Sequence, residues 1–436
     1  MKRELTCFGL GIVVLLTALL NSATRPATAG ERWTSYRGPA DQGHTDAEHL
    51  PLHWSEDENV VWKAPIEGKA WSTPVIWGDR IWLTNARSDG SRYSVLCLDK
   101  NSGEPALPSK VLHSAALPQY CHPFNSYASP SPVIEEGHVY VSFGSPYNAC
   151  LDSETGEVIW QRTDFVCNHF RGPASSPFLY QGLLILHFDG SDRQYLVAMD
   201  KLTGETVWQT DRTVDFDDED PNTGFPHRQG DFRKAFSTPI ITYVGDQAIL
   251  ISLGAKALYG YNPRTGVELW RVENRRCHSG ACRPVAGQGL VFAPMGSGGE
   301  LLAVRPNGSG NVTETHLAWT YKRAVPRRPS PLLIDDLLFM VNDDGVAACL
   351  EAKSGEEIWR KRLAGNFSAS PIHANGRIYF FDERGKATVI EASRRYEVLA
   401  TNQLDDGFMA SPAVTGNALY LRTKTHLYRI EEQSSR

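Results

Sequence analysis

Beyond its first twenty residues the chain lacks any apolar run approaching the roughly 20 residues that a membrane-spanning helix needs. That excludes an ordinary helical membrane protein. It also lacks a surplus of positive charge, with 44 Lys plus Arg against 50 Asp plus Glu and a net charge of −6, so nothing draws it generally to nucleic acid or an anionic membrane. There is no Gly-x-Ser-x-Gly, no His-Glu-x-x-His and no phosphate-binding Gly loop before a helix, which removes three common catalytic signatures. Gly296-Ser297-Gly298-Gly299 lies between the strand-like stretches VFAP and LLAV and reads as a hairpin turn. No two cysteines are adjacent, and none stands in Cys-x-x-Cys-His.

What the N-terminus does have is a charged start (Lys2, Arg3), an apolar stretch from Phe8 to Leu20 and small residues at Ala27-Thr28-Ala29. This pattern reads as a secretory signal peptide over 1–29, cleaved after Ala29. Cleavage would remove three basic residues and one acidic one, taking the net charge from −6 to −8. The lone signal cysteine, Cys7, precedes the apolar stretch, so lipidation is not expected. The expected product is a periplasmic or secreted monomer with an N-terminal extension over 30–54 and one domain over 55–436.

That domain is repetitive. A Ser, Thr or Arg before proline recurs at Thr73-Pro74, Ser131-Pro132, Ser176-Pro177, Thr238-Pro239, Arg283-Pro284, Ser330-Pro331, Ser370-Pro371 and Ser411-Pro412, with prolines 40 to 62 residues apart. Each proline heads a hairpin pattern such as VIWGDRIWLT (75–84) or IHANGRIYFF (372–381). A second motif follows, as in Asp152/Thr155/Gly156/Trp160 and Asp200/Thr203/Gly204/Trp208. It predicts a tight turn whose acidic residue accepts N–H groups, whose Gly takes positive φ and whose Trp packs on the neighbouring blade. Blade 1 has Leu107 in place of Trp. The period fits a four-stranded propeller blade. The last blade ends after three strands, and Asn59–Lys63 looks like its missing fourth. The expected fold is therefore an all-β, eight-bladed β-propeller of four-stranded antiparallel blades, its ring closed by an N-terminal strand.

These hairpins and Gly-x-x-x-Trp turns resemble the PQQ-like propeller repeat family over about residues 55–436. The resemblance implies one of two activities. The family includes pyrroloquinoline-quinone (PQQ) dehydrogenases, and also non-enzymatic envelope scaffolds such as the outer-membrane assembly factor BamB. The dehydrogenases typically carry a vicinal Cys-Cys disulfide and a Ca²⁺ beside the quinone, and the first is missing here. The preferred expectation is a non-enzymatic protein without a cofactor that binds a protein or envelope polymer. An oxidoreductase using PQQ with Ca²⁺ in the central funnel is the alternative.

Partner binding is expected on the face formed by the inter-blade loops, at Arg171, Arg228, Arg233, Arg275, Arg276, Arg283, Arg327, Arg328 and Phe408. Cys97, Cys150 and Cys349 share one repeat position and read as small buried strand residues. Cys121, Cys167, Cys277 and Cys282 lie in inter-blade loops, where Cys121–Cys167 and Cys277–Cys282 disulfides are expected. An exposed thiol pair is the alternative; a Cys/His metal cluster with His122, His169 and His278 is a further reading, and no metal ligand is assigned. The acidic stretch Asp215–Asp220 has the charge of a calcium loop but not its spacing; it reads as a solvated flap that pairs with nearby arginines.

Overall fold

The computed structural model describes residues 32–114 and 119–433; the expected signal peptide and its cleavage site lie outside them. Among the described residues eight sheets follow one another around an axis, each built on four antiparallel strands that, except in blade 8, come from one stretch of chain. Blade 1 consists of Val75–Trp77, Arg80–Ala86, Arg92–Asp99 and Pro105–Ser114. Blade 8 consists of Ala413–Thr415, Ala418–Arg422 and His426–Ile430, with Val60–Pro65 as its fourth strand. Val60 pairs with Ile430 and Pro65 with His426, so the orphan strand closes the ring and leaves no open seam. Among the described residues no helix is long and apolar enough to cross a membrane.

The hydrophobic core lies between blades. Tyr140, Cys150 and Trp160 of blade 2 pack on Leu184, Leu186 and Val197 of blade 3, and the other interfaces repeat that pattern. Cross-strand pairing explains the shared cysteine position: Cys150 stands opposite Trp160, Cys349 opposite Trp359 and Cys97 opposite Leu107. A small residue there makes room for the large one. At the corresponding site in blade 4 a Cβ on Gly260 would come within 2.3 Å of the Trp270 indole.

The turn motif works as its sequence suggests. Asp152 Oδ1 accepts the N–H groups of Glu154 and Thr155 at 2.9 and 2.7 Å. Trp160 Nε1 donates to Lys201 O of the next blade at 2.9 Å, while Gly204, at φ +73°, leaves room for that indole; a Cβ would sit 2.8 Å from it. Trp62, Trp208, Trp319 and Trp359 likewise donate to the following blade's turn. Blade 1's Leu107 takes the same position against Gly156.

The Pro-headed motif has a role the repeat count did not indicate. In six of the eight blades the backbone N–H of the residue before proline donates to the hydroxyl of its counterpart in the next blade: Thr73 to Ser131, Ser131 to Ser176, Ser176 to Thr238, Arg283 to Ser330, Ser330 to Ser370 and Ser370 to Ser411, all at 2.8–2.9 Å; the Thr238–Arg283 step has no hydroxyl to accept. A belt of hydroxyls thus runs around the axis at the start of the innermost strands.

The N-terminal extension plugs this axis. Arg32–Trp33 pairs with Ile76–Trp77 on the inner edge of blade 1, and His44–Thr45 pairs in parallel with His373–Ala374 on the inner edge of blade 7. Between them the chain turns at belt level, where the Tyr36 hydroxyl lies 2.9 Å from Ser370 Oγ and 3.2 Å from Ser330 Oγ.

Candidate functional site

Above the belt, on the face of the inter-blade loops, a funnel with a cavity of about 390 Å³ opens around the axis. Tyr36 and the hydroxyls of Ser131, Ser176, Thr238 and Ser411 line its depth. Its wall follows a rule: the residue two positions before the belt residue lines the funnel in every blade, giving Trp71, Ser129, Ala174, Phe236, Ala281, Arg328, Ser368 and Met409. The geometry of the strand entry fixes that position, and the side chains there differ from blade to blade. His122, Phe124, Arg171, Arg327 and Asp343 form the mouth.

The mouth is laced by ion pairs. Asp343 is buried; it accepts the Arg327 N–H at 2.7 Å and pairs with the Arg328 guanidinium, which also reaches Glu383 at 3.3 Å. Arg171 pairs with Asp231 at 3.2 Å. Arg327 remains half-exposed and only 3.7 Å from Asp343.

Of the arginines expected on this face, Arg171, Arg327 and Arg328 are brought together at the funnel. Arg275 and Arg276 line a separate shallow depression with Glu300 and Lys322, and Arg275 meets Asp217 at 3.3 Å. Arg233 donates to Asp218 at 2.9 Å from Nε, so the acidic flap is held by arginines. Arg228 is exposed, its guanidinium 5.3 Å from the Phe232 ring. Arg283 sits inside the axis, 1% exposed, donating to Pro239 O, Tyr36 O and Asp41. Phe408 is buried edge-on against Phe381; its neighbour Met409 is the one that lines the funnel. Trp71, Phe236 and Met409 are not among the residues expected from the sequence, although each stands two residues before a belt motif.

The expected disulfides are corrected: all seven described cysteines are free thiols. Cys282 is buried with its Sγ 3.4 Å from Pro326 O and 3.2 Å from Pro329 O, while Cys277 packs into the apolar core between blades 4 and 5. Cys121 Sγ faces the carbonyls of His122 and Arg171, whereas Cys167 packs on the His169 ring at 3.7 Å. Each thiol has its own surroundings, and burial pushes Cys121 and Cys277 up to about 11.

A family model described as outer membrane protein assembly factor BamB matches residues 115–361 and 255–398. The chain belongs to the BamB family. It is 20% identical over 303 residues to the outer membrane protein assembly factor BamB of Shewanella oneidensis, covering 66% of this chain and 70% of that protein. Among solved structures, BamB from Moraxella catarrhalis superposes with a TM-score of 0.56 at 14% identity, covering 85% of this chain and 99% of that one. The quinohemoprotein alcohol dehydrogenase from Comamonas testosteroni gives 0.65 at 11% identity (94% and 82% covered). A europium-containing methanol dehydrogenase gives 0.64 at 10% (90% and 89%). Such identities carry the fold alone, which BamB and the quinohemoprotein and methanol dehydrogenases share.

The funnel does not fit the cation that a quinone cofactor would bring. A Ca²⁺ takes six to eight oxygen ligands, several of them carboxylates. Among the described residues Asp343 is the one carboxylate lining this BamB-family funnel, and Arg327 and Arg328 occupy it. Among the described residues no group of three or more His, Cys, Asp or Glu is gathered closely enough to hold a metal ion.

Proposed function

We propose that this chain is an exported, periplasmic, non-enzymatic propeller that holds a protein or envelope-polymer partner at its funnel face, as a monomer without lipid anchor or cofactor. The carrying observation is the ring two positions before the belt. The strands and turns of the blades largely repeat one solution to packing; there, Trp71, Phe236, Arg328 and Met409 stand among small residues, an arrangement the repeat does not require. Aromatic, Met and Arg side chains around a concavity are the composition of a recognition surface. The related proteins named as outer membrane assembly factors support a protein partner.

The test is site-specific photo-crosslinking in the native envelope, with the photoreactive residue at Trp71, at Ser368 or, as control on the opposite face, at Glu136. The expected result is one discrete protein adduct from the two funnel positions and none from the control. Equal adducts from all three positions would refute the reading. So would saturable PQQ plus Ca²⁺ binding with dye-linked alcohol oxidation.

A further inference from the structure

We propose that the funnel floor is a carboxylate site, taking a carboxylate carried on an aromatic or apolar body; this rests on the funnel being the binding face and names the chemistry it selects. The first ground is charge. Three arginines are buried at belt level. Arg283 pairs with Asp41 at 2.8 Å. Among the described residues Arg37 instead donates to carbonyls only, those of Gln42 at 2.9 Å, Pro331 at 2.8 Å and Pro371. Arg422 donates to Ser72 Oγ at 2.7 Å and to the carbonyls of Ser72 and Thr84. Pro331 and Pro371 directly follow belt serines, and Ser72 directly precedes belt Thr73, so both guanidiniums lie beside the belt. Burial lowers Arg37 to about 10 and Arg422 to about 9, and both stay cationic at neutral pH. The mouth, by contrast, pairs its arginines with Asp231, Asp343 and Glu383. The positive charge without a carboxylate partner therefore sits at belt level, beside the funnel floor.

The second ground is hydrogen bonding. Ser131, Ser176 and Thr238 each accept a backbone N–H from the preceding blade, and a hydroxyl that accepts keeps its own proton to donate. On the other side of the belt Ser330 and Ser370 are engaged by Tyr36. One arc thus offers O–H donors toward the funnel, and an acceptor-only carboxylate satisfies several at once. The third ground is the wall: Trp71, Phe236 and Met409 receive the apolar body, and a cavity of about 390 Å³ admits a side chain or small acid, not a folded element.

The experiment is ¹⁹F NMR on the mature chain with 4-fluorophenylacetate, its amide and 4-fluorophenylethanol at millimolar concentration. The carboxylate is expected to broaden at least tenfold more than either neutral analogue, with the effect lost in Trp71→Ala and weakened at least threefold in Ser131→Ala/Ser176→Ala. Circular dichroism of the variants checks that they fold. Equal broadening of amide and acid, none from any probe, or displacement by equimolar inorganic phosphate would overturn the proposal. Competition by acetyl-Phe-Glu-amide supports a carboxylate borne on a protein segment. Competition by small free acids alone would keep the carboxylate site while removing the protein-partner reading.

Discussion

The guanidinium carbon of Arg328 lies 4.1 Å from the ring centroid of Phe124, although the two come from connections entering blades 6 and 2. They meet across the funnel mouth and so tie opposite sides of the ring. Cation–π contacts of this exposure contribute about 0.5–1 kcal/mol. A double-mutant cycle of Phe124→Ala and Arg328→Ala in urea unfolding should return a coupling of that size. Asp343→Asn should cost more, about 1–3 kcal/mol, because it weakens both the Arg328 pair and the Arg327 N–H bond. A coupling of zero would mean that the ring and the guanidinium are held independently.

Arg283 and Arg327 were read as equivalent loop arginines, and the structure separates them sharply. Arg283→Ala takes the guanidinium from two backbone carbonyls inside the axis and from Asp41, which keeps, among the described residues, only the Ser35 hydroxyl; losing such a largely buried pair should cost about 2–4 kcal/mol. Arg327→Ala removes a half-exposed side chain and should stay within about 0.5 kcal/mol. Chemical denaturation of the two variants compares them directly. Equal losses would contradict the placement of Arg283.

The glycine of the turn motif should be sensitive for two separable reasons. Gly204→Ala forces both a positive φ and a Cβ 2.8 Å from the Trp160 indole, whereas Gly137→Ala, at φ +80°, meets nothing within 4 Å. Backbone strain alone costs roughly 1–2 kcal/mol; displacing the indole should add about 1–3 kcal/mol. The difference between their unfolding free energies measures the Trp–turn lock, and a difference near zero would show the indole moving aside freely.

These contrasts locate what the sequence could reveal. Repetition made the blades, the Trp turns and the closing strand legible, since each recurs with a physical reason attached. The belt stayed hidden because a Ser-Pro pair looks the same whether its hydroxyl caps a turn locally or bridges to the next blade. Arg283 keeps its place in the motif, as Arg283-Pro284, and its backbone N–H donates to Ser330 like the others, but the sequence does not show that its long side chain turns into the axis rather than onto the loop face. Tyr36 and Arg37 belong to an extension with no repeat to calibrate it. The funnel wall, by contrast, was readable once the belt was known, at two residues before each motif.

Thiol reactivity distinguishes the free cysteines from the bridges the loops suggested. Reduced and unreduced protein should have identical mass, and native alkylation should label Cys121 first and slowly, since it is the one described cysteine not fully buried and burial raises its thiol to about 11. The other six should react only after denaturation. Peptides linked through Cys121–Cys167 or Cys277–Cys282 would restore the bridged reading.

Acid should loosen the molecule through its buried imidazoles. His169 Nε2 accepts the Ser145 N–H at 2.8 Å, a bond that protonation breaks, and burial lowers this histidine from 6.5 to about 4. Below 6.5 the unfolded chain binds this proton while the folded one does not, so stability is full above about pH 6.5 and falls as the pH drops toward 4. For a fully buried group the loss approaches about 3 kcal/mol. Burial lowers His44 and His278 to about 4 as well, and they act in the same window. His44 Nδ1 stands 3.2 Å from His373 Nδ1, with Arg37 disfavouring its charge and Asp335 favouring that of His373. Protonating this pair would set two cations together where the axial plug joins blade 7. Thermal unfolding between pH 7 and 4 should therefore show a falling Tm, with a shallower slope in His169→Gln, whose amide oxygen can keep the Ser145 bond without titrating. An unchanged slope in that variant would shift the acid sensitivity to the His44–His373 pair, where His373→Gln tests it next.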